Sequence, residues 1–134
     1  MIVLDTSVVL KWIFNDEAGS DRAIRLKDSH IAGYEIICVP DLLFYEIGNV
    51  LATKTRLSET SIVEAFSLLW NFSLERFDLG FEEFQGGLAL SRKYEITMYD
   101  AAYIELARRL KCNFVTADKK LYAKVKNIKS VELL

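Results

Sequence analysis

Short apolar runs alternate with helix-patterned stretches along this 134-residue chain, and that alternation narrows the fold more than any other feature. Residues 1–4, 36–39 and 113–116 are apolar runs of strand length, each followed by a stretch with helical spacing. Weaker runs at 75–78 and 130–132 have the same character. Helices are expected at 6–14, 17–32, 58–72, 81–94 and 119–125, with two more in LLFYEIGNVL and MYDAAYIELA. Strands alternating with helices imply a mainly parallel sheet covered on both faces, a three-layer α/β/α architecture. A chain of this length is expected to form one domain, residues 1–134, and no repeat or low-complexity stretch divides it.

Four acids sit at conspicuous places in that pattern. Asp5 ends the apolar run MIVL, Asp100 opens MYDAAYIELA, and Asp118 follows NFVTA. Such strand ends and helix starts meet at one edge of an open α/β sheet, where sites form. Each of these three has a structural reading as well. Asp5 and Asp118 can cap the helices that follow them, and Asp100 fits a capping box with Thr97. Glu46 is different. The stripe Leu43, Ile47, Val50, Leu51 has the spacing of a buried helix face, and Glu46 occupies its i+3 slot. A carboxylate on a core-facing stripe is costly unless paired or bound to metal. Lys54 and Arg56 lie eight and ten residues on, outside its helical neighbours. Four carboxylates converging on one edge repel one another, so the arrangement makes sense around a divalent cation.

The residues around these acids resemble a known family. Asp5-Thr6-Ser7, Glu46 with Asn49, Tyr99-Asp100-Ala101-Ala102 and Thr116-Ala117-Asp118-Lys119, in this order, resemble PIN domains, and most closely the single-domain ribonuclease toxins called VapC. The resemblance covers essentially the whole chain. It implies a metal-dependent endoribonuclease that hydrolyses RNA with Mg2+ or Mn2+ held by Asp5, Glu46, Asp100 and Asp118. It also implies supporting roles for Thr6 or Ser7 and for Thr116. A small antitoxin protein and a homodimer are further implications. The alternatives are a PIN-like RNA-processing or interaction module outside a toxin–antitoxin pair, or a Mg2+-binding receiver domain. A receiver domain needs paired acids after its first strand, and an Asp-x-Asp phosphatase needs a second Asp where Ser7 stands.

Charge and composition fit an RNA-handling enzyme. Net charge is −2, but residues 108–129 hold eight basic groups (Arg108, Arg109, Lys111, Lys119, Lys120, Lys124, Lys126 and Lys129) against one acid. Such a segment beside an acidic site is expected to hold phosphates. Hydrophobic residues make up 51% of the chain, a surplus that suggests a partner-facing surface. Tyr45, Phe66, Leu69 and Trp70 are the expected candidates for a homodimer face. No apolar run approaches the ~20 residues needed to span a membrane, and the N-terminus lacks signal-peptide character. Cys38 and Cys112 lack metal spacing; Cys38 reads as a buried thiol, and a reducing cytoplasm is the expected setting. The single histidine, His30, is expected to face solvent, on a helix with the stripe Ala23, Ile24, Leu26, Lys27, Ile31. Gly86 and Gly87 are expected to loosen their helix.

Overall fold

Five parallel strands form the middle of the molecule, which a computed structural model describes for residues 1–14 and 18–134. In chain order the elements are β1 (Ile2–Leu4), α1 (Thr6–Ile13), α2 (Ser20–Ile31), β2 (Ile37–Pro40), α3 (Leu42–Thr53) and α4 (Glu59–Asn71). They continue with β3 (Glu75–Phe77), α5 (Phe81–Tyr94), α6 (Met98–Leu110), β4 (Asn113–Thr116), α7 (Lys119–Val125) and β5 (Val131–Leu133). The expected start of the second helix at Glu17 lies outside the described residues; its described part begins at Ser20. Other boundaries agree with the sequence reading to within one or two residues, except that α6 runs three residues past MYDAAYIELA, to Leu110.

The strand order is β3-β2-β1-β4-β5. From β1 the chain steps through β2 to β3 on one side; β4 then lies on the other side of β1, followed by β5. Right-handed crossovers place α1 to α4 on one face and α5 to α7 on the other. The α6 helix lies across β1, β2 and β4, with α5 packed along it. The reversal of strand order falls between β1 and β4, so the carboxyl ends of these two strands flank the crevice characteristic of open α/β sheets.

The inner strands are buried because their residues are apolar on both sides. Val3, Leu4, Ile37, Cys38, Val39, Phe114 and Val115 are wholly buried in one continuous core with Leu43, Ile47, Leu51, Ile104 and Leu106. Side chains start several helices where the sequence places caps: Asp5 accepts from Val8 N–H, Ser58 from Ser61, Thr97 from Asp100, and Asp118 from Lys120 and Leu121.

Four expectations need correction here. Gly86 and Gly87 do not loosen α5, which runs unbroken; they let α6 approach it. A Cβ on Gly86 would collide with the Glu105 carboxylate, and one on Gly87 with Met98. Ile31 is exposed, because α2 has turned its apolar stripe away by its last residue. Leu69 is core, and its neighbour Leu68 is exposed instead. His30 is not solvent-facing. Ile37 N–H at 3.2 Å and the Glu35 carbonyl at 3.1 Å both lie against its Nδ1, and the Phe72 carbonyl lies 3.0 Å from its Nε2. His30 thus ties together the end of α2, the start of β2 and the end of α4.

Candidate active site

Asp5 stands directly after β1, at the switch point of the sheet, and is 6% exposed. Its Oδ1 accepts from the Ser7 hydroxyl at 2.5 Å and from Val8 N–H at 3.3 Å, and its Oδ2 accepts from the Thr116 hydroxyl at 2.5 Å. The two hydroxyls are themselves positioned by the chain after β4. Ala117 N–H donates to Ser7 Oγ at 2.8 Å, and Asp118 N–H donates to Thr116 Oγ1 at 3.0 Å. The ends of β1 and β4 are therefore stitched through a carboxylate and two hydroxyls. Burial pushes the Asp5 carboxyl up to about 6. The Ser7 and Thr116 hydroxyls and the Val8 N–H resist that rise, and the charge of Asp100 adds to it.

Asp100 sits in the first turn of α6, half-buried. It does not itself cap the helix; Thr97 does, accepting Asp100 N–H at 3.1 Å. The Asp100 carboxyl is raised by burial first and then by the charge of Asp118, while the Thr97 hydroxyl and the Lys124 ammonium hold it down. Asp118 is exposed at the start of α7. Its Oδ1 accepts both Lys120 N–H at 2.9 Å and Leu121 N–H at 3.0 Å, and among the described residues its Oδ2 accepts none. Asp5, Asp100 and Asp118 thus form a row in which each feels the next.

Glu46 reaches the same region from α3, one helical turn beyond the buried Leu43. It is half-buried, on the border of the core face. Its Oε1 accepts from Thr6 Oγ1 at 3.0 Å and from the Tyr103 hydroxyl at 2.5 Å. No ion pair to Lys54 or Arg56 forms among the described residues. Tyr103 did not stand out in the sequence. Its charge environment includes both Glu46 and Asp5, and burial with the Glu46 charge raises its phenol far above the ordinary value, so it stays a donor. Asn49, part of the sequence motif, is exposed on the outer side of α3.

As placed, no three acid, histidine or cysteine side chains among the described residues group closely enough to hold one metal ion. The donor set nevertheless suits a hard divalent cation. It consists of carboxylate and hydroxyl oxygens, and two of those carboxylates each keep an oxygen that accepts no hydrogen bond among the described residues.

The basic segment does not lie beside the site as a whole. Lys119 and Lys120 are exposed at the α7 start, next to Asp118. Lys124, one turn on, donates to Glu95 O at 2.7 Å. Arg108 and Arg109 lie eight and nine residues beyond Asp100 on α6, roughly 12 Å or more along the axis. Arg108 pairs with Glu105 one turn back on α6 at 3.0 Å, and Arg109 crosses to Glu83 of α5 at 3.5 Å. Chain direction, which a run of letters does not convey, separates the two groups.

The apolar surplus also lies where only half was expected. Tyr45 is 79% exposed and Trp70 is 50% exposed, but a second set, Phe81, Phe84, Leu88 and Tyr99, is exposed on α5 and the start of α6. Phe84 and Tyr99 line a cavity of about 470 Å³ with Pro40, Leu42, Phe77 and Met98. No helix among the described residues is long and apolar enough to cross a membrane.

Known proteins resemble this chain in sequence or in fold. Ribonuclease VapC3 from Pyrobaculum aerophilum is 28% identical over 128 residues, spanning 92% of this chain and 93% of its own length. The fold matches VapBC2 from Rickettsia felis, solved bound to a DNA fragment from its promoter, with a TM-score of 0.72 at 16% identity. That match covers 100% of this chain and 98% of the other. It also matches Mycobacterium tuberculosis VapC20, a sarcin–ricin loop cleaving toxin, with a TM-score of 0.69 at 15% identity over 92% and 94% of the two chains. The PIN domain family pattern matches residues 2–127, and with that span, this sheet order and acids at its switch point, the chain belongs to the PIN domain family.

Proposed function

We propose that this protein is an endoribonuclease that hydrolyses RNA phosphodiester bonds with Mg2+ or Mn2+, acting as the toxin of a toxin–antitoxin pair in the cytoplasm. The observation that carries the reading is the row Asp5, Asp100 and Asp118 at the β1–β4 switch point, with Glu46 brought alongside by Thr6 and Tyr103. The names of the relatives support the same activity and an antitoxin partner.

Asp5, Glu46, Asp100 and Asp118 are the residues proposed to hold the cation. Bound there, the ion would supply positive charge to the phosphate and leaving oxygen and lower the pKa of a bound water. The chain's own groups do the rest. Ser7 and Thr116 keep Asp5 oriented by donating one proton to each of its oxygens. Thr6 and Tyr103 orient Glu46 by both donating to its Oε1. Lys119, Lys120 and Lys124, at the site end of the basic segment, supply phosphate contacts. A homodimer through the exposed aromatic faces completes the proposal, with Tyr45, Phe66 and Trp70 on one face and Phe84, Leu88 and Tyr99 on the other, in place of Leu69.

The test is cleavage of a mixed tRNA and ribosomal RNA substrate by the purified chain, with and without Mg2+, beside an aryl phosphate. RNA cleavage that needs the metal, with no aryl phosphate turnover, is expected. Turnover of the aryl phosphate alone would overturn the reading in favour of a phosphatase. Sequencing of RNA ends after brief expression in cells then identifies the RNA.

A further inference from the structure

We infer that Tyr103 is a positioning residue: with Thr6 it occupies one oxygen of Glu46 and so reserves the other for the cation. The inference rests on the metal-dependent reading above. A hydroxyl has a single proton to give. Tyr103 gives its proton to Glu46 Oε1 at 2.5 Å and Thr6 gives its own to the same atom at 3.0 Å. The two hydroxyl oxygens lie 3.2 Å apart and close the triangle. Among the described residues Glu46 Oε2 accepts nothing. Two donors on one oxygen fix the rotation of the carboxylate, and they leave a single free oxygen.

Tyr103 is well held for this task. It is 1% exposed, and its ring stacks on Phe114 with centroids 6.0 Å apart and planes at 18°. It lies three residues after Asp100 on α6, and that spacing puts the two on neighbouring positions of one helix face. Phe114 belongs to β4, two residues before Thr116. One side chain therefore connects the helix bearing Asp100, the strand leading to Asp118, and Glu46 on α3. Packing alone would be served by phenylalanine. A buried phenol carries a polar atom that costs stability unless it is bonded, and its bond here goes to Glu46, an acid that lies inside its helix and starts none. Groups that orient a metal ligand typically change affinity by roughly tenfold to a hundredfold when removed.

The experiment is Mn2+ binding to the purified full chain, read from the electron paramagnetic resonance signal of free Mn2+, with no RNA present. Wild type is compared with Tyr103→Phe, Thr6→Val, Glu46→Gln and the double variant Tyr103→Phe/Glu46→Gln, and metal-free melting is recorded for each. Tyr103→Phe is expected to weaken Mn2+ binding by about tenfold or more. Thr6→Val, which removes the other donor and keeps the core intact, is expected to weaken it in the same direction. In the Glu46→Gln background, Tyr103→Phe should add less than about a twofold loss, because its effect passes through Glu46. A merely structural tyrosine would show the same loss in both backgrounds, and that result overturns the inference. So does wild-type affinity in both Tyr103→Phe and Thr6→Val. Failure of the wild-type chain to bind Mn2+ overturns the metal-dependent reading, and this inference with it.

Discussion

At the edge of the sheet where β2 begins, His30 uses both ring nitrogens on backbone partners, and the Met1 ammonium lies 2.7 Å from a Glu35 oxygen. At the opposite edge, where β1 and β4 end, Glu46 Oε2 and Asp118 Oδ2 accept nothing among the described residues, although their partner oxygens are each used twice. Both edges are rich in polar groups, and both tie distant segments together. The first has one too, Glu35 Oε2, but its acid is already paired with the Met1 ammonium. The second keeps oxygens in reserve and holds a buried carboxylate, Asp5, beside the charge of Asp100. A polar cluster whose acid is paired with a cation of the chain itself serves the fold. One that holds acids close together with acceptors to spare is fitted to something that arrives with positive charge.

The strongest way to break that contrast is to neutralise acids of the second edge. Asp5→Asn and Glu46→Gln keep size and remove charge, so RNA cleavage should fall by at least about a hundredfold, more than removal of an orienting partner typically costs. Metal-free melting temperature should hold or rise slightly as repulsion falls. Cleavage assays on the purified variants check this; activity within a few-fold of wild type in both would make the two edges equivalent.

The pH dependence of folding sharpens the same contrast. The Asp5 carboxyl titrates near 6 in the folded state against 3.8 as its ordinary value. The folded chain therefore holds this proton longer than the unfolded one. Its contribution to stability is complete below pH 3.8 and is lost as pH rises through about 6. A shift of about two units corresponds to on the order of 3 kcal/mol. Asp100 shifts in the same direction. Denaturant unfolding of metal-free protein from pH 4 to 7 should show Asp5→Asn gaining on wild type by up to that amount. A constant difference across the range would contradict the placement of Asp5.

On the other edge, His30→Ala removes one donor and one acceptor that backbone groups depend on. Unfolding free energy should fall by about 2 kcal/mol, while cleavage per folded molecule stays at the wild-type level. A loss of cleavage without a loss of stability would place His30 in the chemistry after all.

The smallest effect concerns the split of the basic segment. Lys120→Gln should weaken RNA binding and lower the salt slope by about one, as expected for one phosphate contact. Arg108→Gln, whose partner is Glu105, should leave that slope unchanged. Filter binding at several salt concentrations distinguishes them, and equal slopes for the two variants would restore a single continuous basic surface.

How far the sequence carried each of these regions depends on the range of the interaction. Strands and helices were readable because each is set by local pattern: MIVL and NFVT declare strands, and Asp5, Ser58, Thr97 and Asp118 announce helix starts one residue before they occur. The acids were readable because each breaks such a pattern. Tyr103 was not, because three residues after Asp100 it reads as one more apolar member of MYDAAYIELA. Its spacing from Asp100 was the available signal. Leu69 was assigned to the surface and Leu68 went unremarked, because one residue is a rotation of about 100° on a helix and two adjacent leucines do not reveal the phase. The partner of His30 Nε2 is a backbone carbonyl 42 residues away, which no side-chain pattern encodes. Arg108 and Lys120 belong to one basic run in the sequence and to separate places in the fold, because strand β4 runs between the helices that carry them.

The central claim is that the carboxylates at the ends of β1 and β4 do more than begin helices, and Asp100 tests it most cleanly. Thr97 supplies the oxygen that caps α6, and the Asp100 carboxylate meets the cap only through the Thr97 hydroxyl, a bond that an Asn oxygen can also accept. Purified Asp100→Asn, assayed on mixed tRNA and ribosomal RNA in Mg2+ and melted without metal, should lose at least about a hundredfold in cleavage with its melting temperature intact. Full cleavage by that variant would contradict the account and leave the acids as helix caps and surface charge.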